Sequence, residues 1–143
     1  MSLPAYFLDT NVLVAAFLNE ASDSRRLLEL GSRGRARLLT SDYVLRELRF
    51  ALVKKLRVPQ AFVDSFVLDV MAPSLLILRK PSPQEVRSFG GKIRDRSDIP
   101  IVTPCVKHGL TLVTLDSRLA RSARELINVT SPRETIKGIS RST

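Results

Sequence analysis

Hydrophobic residues alternate along the chain between short continuous runs and longer stretches in which they recur every three or four positions. The short runs are typical of strands, and they lie at residues 6–8, 37–40, 75–78, 112–113 and 127–129. The periodic stretches are typical of helices, and they lie at residues 12–18, 22–30, 42–56, 60–71, 98–108 and 116–126. Strands that alternate with helices predict βαβ units. The pattern therefore predicts an α/β fold with a parallel sheet covered by helices on both faces.

Local signals indicate where some of these helices begin and end. Residues 82–85 read Ser-Pro-Gln-Glu, a capping box with proline at the first helical position, which predicts a helix start. Gly109 predicts the end of the helix over 98–108. Pro104 lies inside that helix, where it removes a backbone hydrogen bond, so we expect a kink there.

Three further segments lead to specific expectations. The continuous apolar run at 75–78 is typical of a strand buried on both faces. The apolar stripe along the helix over 60–71 is interpreted as core, with a dimer face as the alternative. The segment 131–143 is polar and is expected to fray as a tail outside a core of residues 5–130.

Composition and charge narrow the class of protein. A chain of 143 residues is the size of one domain, so we expect a single domain over 1–143. Cys105 is the only cysteine, which excludes a disulfide within the chain and fits a cytoplasmic protein. No apolar run is long enough to cross a membrane. The formal net charge of +9 favours nucleic acid or an anionic membrane as a partner, although charge can also serve solubility alone.

Carboxylates follow the predicted strands at the points where ligands bind in parallel sheets. Asp9 directly follows the strand at 6–8, and Asp116 follows the strand at 112–113 after two residues. The carboxyl ends of parallel strands lie at one edge of a sheet. Glu47 lies one turn into the helix after the second strand, and Asp98 opens a later helix. The four side chains could therefore converge at one edge.

Four converging carboxylates are costly unless a cation neutralises them or some are protonated. Hard oxygen ligands suit Mg²⁺ or Mn²⁺. Basic residues around such a site would attract a phosphate backbone, and a metal ion would activate water for attack on phosphorus. Taken singly, Asp9, Asp98 and Asp116 could instead be helix caps, and Glu47 a solvated helix residue.

The segments around these acids resemble the motifs of PIN-domain nucleases. The resemblance rests on Phe-Leu-Asp-Thr-Asn-Val at 7–12, Ser-Asp-Tyr-Val-Leu-Arg-Glu-Leu at 41–48, Asp-Ile-Pro-Ile-Val at 98–102 and His-Gly-Leu-Thr-Leu-Val-Thr-Leu-Asp at 108–116. It extends in order from residue 6 to about residue 130. It implies a three-layer α/β/α sandwich with a central parallel sheet. It also implies a Mg²⁺- or Mn²⁺-dependent endoribonuclease that cleaves single-stranded or structured RNA.

The resemblance also implies roles for individual residues. The acids that would be catalytic and bind metal are Asp9, Glu47, Asp98 and Asp116. The residues that would support them are Thr10, Asn11 and Thr114. Many small members of the family are toxins of toxin–antitoxin modules and are often dimers. An antitoxin protein and a second copy of the chain are therefore expected partners, besides RNA.

Some alternatives stay open at this level. The proline inside the 98–108 helix departs from the family pattern, so Asp95 is a substitute for Asp98 as the third acid. Arg118 lies two residues beyond Asp116 and is expected to bind substrate. Aromatic residues make up only 6% of the chain, so contacts to phosphates rather than bases are expected. A non-catalytic module that binds RNA or protein on the same fold is the alternative function.

Overall fold

The computed structural model describes residues 3–89 and 91–141, and a five-stranded parallel sheet forms the centre of this part of the chain. The strands are β1 (Ala5–Leu8), β2 (Arg37–Ser41), β3 (Leu75–Leu78), β4 (Thr111–Val113) and β5 (Val129–Thr130). Their order across the sheet is β3-β2-β1-β4-β5, and every neighbouring pair is parallel. The predicted parallel sheet is confirmed.

Helices connect the strands and complete the predicted three-layer α/β/α architecture. They are α1 (Thr10–Leu18), α2 (Asp23–Ser32), α3 (Asp42–Arg49), α4 (Gln60–Phe66), α5 (Pro83–Ser88), α6 (Ile99–His108), α7 (Ser117–Ala123) and α8 (Pro132–Arg141). Helices α3 and α4 continue into wider π-helical turns at Phe50–Lys55 and Val67–Met71. The predicted capping box is present at the start of α5, where the Ser82 side chain accepts from the Glu85 N–H at 3.1 Å.

The sheet winds in opposite directions on the two sides of β1. The chain passes from β1 to β2 and β3 on one side, and returns to form β4 and β5 on the other. Register pairs Leu8 of β1 with Val113 of β4, so the two strands end side by side. A crevice forms at the carboxyl ends of strands where the winding reverses. The fold therefore places the residues after β1 and β4 in one crevice.

The end of β1 lies in a fully packed part of the core. Phe7 and Leu8 of β1 and Leu112 and Val113 of β4 are all completely buried. The Thr40 hydroxyl of β2 donates to the Leu8 carbonyl at 2.8 Å and ties the second neighbour to the same point. Tight packing restricts the movement of side chains and backbone. The segments that follow these strands therefore start from fixed positions.

The expectation that residues 75–78 form a strand buried on both faces is wrong. β3 lies at the edge of the sheet, and Leu76 and Ile77 are 67% and 45% exposed. Only Leu75 of this run is fully buried. An apolar run predicts a strand but does not show how many neighbours the strand has.

The expectation that the segment from residue 131 frays is also wrong. Residues 132–141 form α8, which packs against α2. Thr135, Ile136 and Ile139 of α8 are buried. Ile136 and Ile139 lie on one face of α8, and their contact with α2 holds the helix against the domain.

Two other expectations concern helices. The first is the kink expected at Pro104, and α6 continues as one helix across this residue. The stripe on the helix over 60–71 is mainly core, since Val63 and Phe66 are buried, whereas Phe62 is 63% exposed.

Within the described ranges, no helix has both the length and the apolar character that a bilayer crossing requires.

We expect Gly31→Ala to destabilise the protein. Gly31 lies on α2, and an added Cβ would be 2.6 Å from both the Ser74 carbonyl oxygen and Leu38 Cδ1. Because a backbone carbonyl cannot turn away, the cost should be about 1–3 kcal/mol. Urea unfolding measures it. Gly138→Ala on α8 is the matched control, since an added Cβ there meets no atom within 4 Å and should leave the free energy of unfolding unchanged or raise it. Equal stability of Gly31→Ala and wild type would contradict the prediction.

Candidate active site

The crevice at the ends of β1 and β4 contains a cavity of about 520 Å³. All four predicted acids line it, and they are Asp9, Glu47, Asp98 and Asp116. Thr10, Asn11 and Arg118 line it as well, whereas Thr114 is buried beneath its wall. The structure therefore brings together the four acids, the three supporting residues and Arg118.

Asp9 is fixed at the end of β1 by three hydrogen bonds. It caps α1 by accepting from the Thr10 N–H at 2.7 Å through Oδ1. Its Oδ2 accepts from the Thr114 hydroxyl at 2.7 Å and from the Asn11 amide at 3.2 Å. Asp9 is only 7% exposed. The Asp9 carboxylate thus caps α1 and lines the cavity at the same time.

Glu47 reaches the cavity from α3. Ser41, the last residue of β2, caps this helix by accepting from the Val44 N–H at 3.2 Å. Glu47 Oε1 then accepts from the Thr10 hydroxyl at 2.8 Å. Thr10 therefore links the acid that follows β1 to the acid that follows β2.

Asp116 caps α7 and is linked to Asp9 through one hydroxyl. Its Oδ1 accepts from the N–H groups of Arg118 and Leu119 at 3.0 and 3.1 Å. The Thr114 hydroxyl accepts from the Asp116 N–H at 3.0 Å while it donates to Asp9. Asn11 adds a second connection, because its Oδ1 accepts from the Leu115 N–H at 3.0 Å. Thr114 and Asn11 thus hold the β1 and β4 ends in register.

Asp98 lies at the end of a short 3₁₀ turn, Arg96–Asp98, directly before α6, and is 6% exposed. Arg118 Nη2 donates to Oδ1 at 3.2 Å, and Nη1 lies 3.1 Å from Oδ2 without a hydrogen bond along that direction. Oδ2 is buried and lacks a hydrogen-bond partner among the described residues. A buried carboxylate oxygen without a hydrogen bond is costly, so a cation in the cavity that displaced the Arg118 contact would find an acceptor in this atom.

Asp95, the alternative third acid, does not line the cavity. It caps the short turn by accepting from the Ser97 N–H and hydroxyl at 3.0 and 2.8 Å, which lowers its pKa. Arg118 Nη2 lies 3.7 Å from carboxylates of both Asp95 and Asp116, besides its contact with Asp98. The Arg118 guanidinium therefore lies among three acids, a position that the sequence did not predict.

Tyr43 is a residue of this site that sequence reasoning missed. Burial, and then the neighbouring Glu47 carboxylate, raise the pKa of the Tyr43 phenol, and the charges of Asp98 and Asp9 add to the shift. The phenol therefore lies beside the acidic cavity. Its spacing of four residues from Glu47 on one helix was the signal that could have found it.

The pKa of Asp9 is raised, and burial is the largest cause. The charges of Glu47 and Asp116 raise it further, whereas the hydrogen bonds from Thr114 and Thr10 lower it. The Glu47 and Asp116 carboxylates therefore repel the Asp9 carboxylate within the cavity. A divalent cation there would oppose this repulsion, and carboxylate oxygens are the donors that Mg²⁺ and Mn²⁺ prefer.

Within residues 3–89 and 91–141, no three His, Cys, Asp or Glu side chains are arranged around one point as metal ligands. The Arg118 guanidinium lies between Asp98 and Asp116 and accounts for part of the separation between these two acids. The donor set fits a cation, as does Asp98 Oδ2, which accepts no hydrogen bond among the described residues, but the acids and the Arg118 guanidinium must move before the acids can share one.

The family of the protein follows from this fold and its motifs. The model of the PIN domain family matches residues 5–118, and the chain belongs to that family. PIN domains are nucleases that generally use divalent metal ions. No curated protein is significantly similar to the chain in sequence.

Solved structures with the same fold come from bacteria and an archaeon. PAE2754 from Pyrobaculum aerophilum is 20% identical with a TM-score of 0.72, and the match covers 96% of this chain and 90% of that one. DNA-bound VapBC from Salmonella typhimurium is 20% identical with a TM-score of 0.65, covering 91% and 99%. VapBC2 from Rickettsia felis, bound to a promoter DNA fragment, is 20% identical with a TM-score of 0.64, covering 89% and 98%. These matches support the α/β/α fold.

We expect Thr114→Val to destabilise the protein more at neutral than at acidic pH. The lost hydroxyl leaves a buried Asp9 oxygen short of a donor, at a cost of about 1–3 kcal/mol. The hydroxyl lowers the pKa of Asp9, so its loss raises this pKa further in the folded state. A carboxyl with a raised folded pKa favours folding only in acid, and this contribution is lost as pH rises through the folded pKa.

Urea unfolding at about pH 4 and pH 7.5 measures this difference. Thr103→Val is the matched control, because the buried Thr103 hydroxyl donates to the Ile99 carbonyl at 2.7 Å and not to an acid. Its cost should not depend on pH. The same cost for Thr114→Val at both pH values would show that the hydroxyl does not act on a charged Asp9.

Proposed function

We propose that the protein is a metal-dependent endoribonuclease whose catalytic centre is the acidic cavity. The proposed catalytic and metal-binding residues are Asp9, Glu47, Asp98 and Asp116. The observation that carries the proposal is that acids from four separate elements of the fold line one cavity and that the buried Asp98 Oδ2 has no hydrogen-bond partner among the described residues. A protein that only bound RNA would gain nothing from four carboxylates facing a phosphate backbone.

The proposed cofactor is Mg²⁺ or Mn²⁺. Such an ion, when bound, lowers the pKa of water and offsets the charge that develops on the phosphate. The chain's own part is to hold the acids in place. Thr114 and Asn11 orient Asp9, and Thr10 orients Glu47.

The proposed role of Arg118 is to bind a phosphate of the substrate. Its side chain is half exposed at the rim of the cavity and reaches over Asp98 and Asp116. A guanidinium in that position can turn from the carboxylates to a phosphate, which it binds through the same paired N–H groups. The net charge of +9 supports RNA as the substrate class, since the rest of the surface attracts a polyanion.

The proposed partners are an antitoxin protein and a second copy of the chain. VapBC from Salmonella typhimurium and VapBC2 from Rickettsia felis, which share this fold, are described as DNA-bound. Their family resemblance supports a toxin of a toxin–antitoxin module here. Phe62 and Leu68 on α4 and its π-helical extension are 63% and 69% exposed, and a protein partner that covered them would remove apolar area from water.

We expect Mg²⁺ or Mn²⁺ to raise the Tm of the wild-type protein. A ligand at a hundred times its Kd adds about 2.7 kcal/mol to the free energy of unfolding. Asp98→Asn should lose most of this stabilisation, because its Oδ2 is buried and has no hydrogen-bond partner among the described residues. Asp95→Asn is the matched control, since Asp95 lies three residues away and outside the cavity. Equal metal stabilisation of Asp98→Asn and wild type would disprove the assignment of the third acid.

We expect the protein to cleave single-stranded RNA only with an added divalent metal. Attack by water on phosphorus leaves a 5′-phosphate and a 3′-hydroxyl, which end-group analysis of the fragments identifies. Asp9→Asn should lower turnover by orders of magnitude. Its affinity for RNA in EDTA should hold or rise, because one negative charge facing the phosphate is removed.

Two results would contradict this activity. A 2′,3′-cyclic phosphate product would show that the RNA 2′-hydroxyl attacked, and cleavage that persists in EDTA would point to a contaminant. If wild type binds RNA and neither Asp9→Asn nor Asp98→Asn changes the RNA products, the non-catalytic binding module is the correct function.

A further inference from the structure

A second cavity of about 440 Å³ lies next to the acidic one. Its basic lining residues come from three separate elements. Lys80 follows β3, Arg87 lies on α5, and Arg96 opens the short turn that ends at Asp98. Among the described residues, no carboxylate lines this cavity. Three positive charges therefore face it without a fixed negative charge within it.

These three cations are available to a ligand. In the described part of the chain, ion pairs engage Arg49, Lys107, Arg118 and Lys137. Lys80, Arg87 and Arg96 form none, and all three are exposed. The electrostatic interactions of a bound anion would thus not compete with existing salt bridges.

The remaining wall of the cavity is apolar. It is formed by Pro81, Pro83, Val86, Ile99 and Pro100. A volume of 440 Å³ falls within the range of about 300–1,000 Å³ typical of small-ligand pockets. An apolar wall beside exposed cations fits a ligand that has a flat, weakly polar part and a phosphate. A nucleotide unit has both.

The two cavities lie on either side of the segment 96–101, whose Arg96 and Ile99 line the basic cavity and whose Ser97 and Ile101 line the acidic one. Tyr43 lines the basic cavity. Burial raises the pKa of its phenol, and the nearby charges of Glu47, Asp98 and Asp9 raise it further. Asp98 lines the acidic cavity and the next residue, Ile99, lines the basic one. A strand whose scissile phosphate lies at the acids can therefore continue directly into the basic cavity.

We propose that the basic cavity binds the nucleotide of single-stranded RNA that flanks the scissile phosphodiester. Lys80, Arg87 and Arg96 contact its phosphate, and the apolar wall contacts its base and ribose. The proposal rests on the proposed function, because it takes the acidic cavity as the place of cleavage. It assigns to this chain a positioning site for substrate that is separate from the acids.

The test is the salt dependence of RNA binding by the full-length protein. Fluorescence anisotropy with a short fluorescein-labelled oligoribonucleotide in EDTA gives Kd at several salt concentrations without cleavage. Each lost phosphate contact lowers the slope of log K against log salt by about 0.7 for single strands. Because the three cations share one phosphate in this proposal, Lys80→Ala/Arg87→Ala should lower the slope by up to about 0.7, with weaker binding at low salt.

Arg33→Ala/Arg35→Ala is the matched control. It removes the same charge from exposed residues between α2 and β2, at the opposite edge of the sheet. Its slope should equal that of wild type. Circular dichroism and Tm show that each variant is folded. Cleavage with Mn²⁺ is measured in parallel on wild type and Asp9→Asn, so that the two proposals are judged separately.

Four results would overturn the assignment of the basic cavity. An unchanged slope for Lys80→Ala/Arg87→Ala, with metal-dependent cleavage by wild type, would refute the cavity proposal and leave the nuclease proposal standing. An equal decrease in the slope for Arg33→Ala/Arg35→Ala would show that RNA binding depends only on the net charge of the protein. An unchanged slope for RNA with weakened binding of poly-glutamate would assign the cavity to an acidic protein segment. Absence of both RNA binding and cleavage in wild type would refute both proposals.

Discussion

Repulsion among carboxylates is the constraint around which the centre of this molecule is arranged. Asp9 is buried, and the charges of Glu47 and Asp116 raise its pKa. Four groups offset this repulsion by donating hydrogen bonds to the acids, and they are two hydroxyls, one amide and one guanidinium. The parallel pairing of β1 with β4 is what brings these groups together. Without that pairing, Asp9 and Asp116 would be separate helix caps with no shared environment.

Much of this centre could be predicted from sequence because it depends on chain direction rather than on packing. An apolar run shows where a strand ends, and parallel strands all end at one edge. Asp9 and Asp116 each follow such a run, so their convergence needs only the strand order near β1. The sequence leaves Asp95 and Asp98 as alternatives, and it is the structure that places Asp98, directly before α6, in the cavity.

What could not be predicted depends on neighbours that are distant in sequence. β3 reads like a central strand, yet it lies at the edge because no later strand pairs beside it within the described residues. α8 has few apolar residues, and its stability depends on α2. The position of Arg118 among three acids requires the start of α7 to lie beside the short turn before α6, which no local pattern indicates. The basic cavity likewise joins elements from separate parts of the chain.

The pairing of β1 with β4 also governs when the centre forms during synthesis. Proteins are made from the N-terminus, and β1 leaves the ribosome long before its neighbour β4, which begins at Thr111. Until β4 is paired, Asp9 lacks the Thr114 hydroxyl, and Asp98 lacks the Arg118 guanidinium. The nascent chain therefore carries an incomplete centre until residues 111–118 have been made and have folded against β1. The messenger RNA and the ribosome that produce the protein are exposed to the assembled acids only after that point.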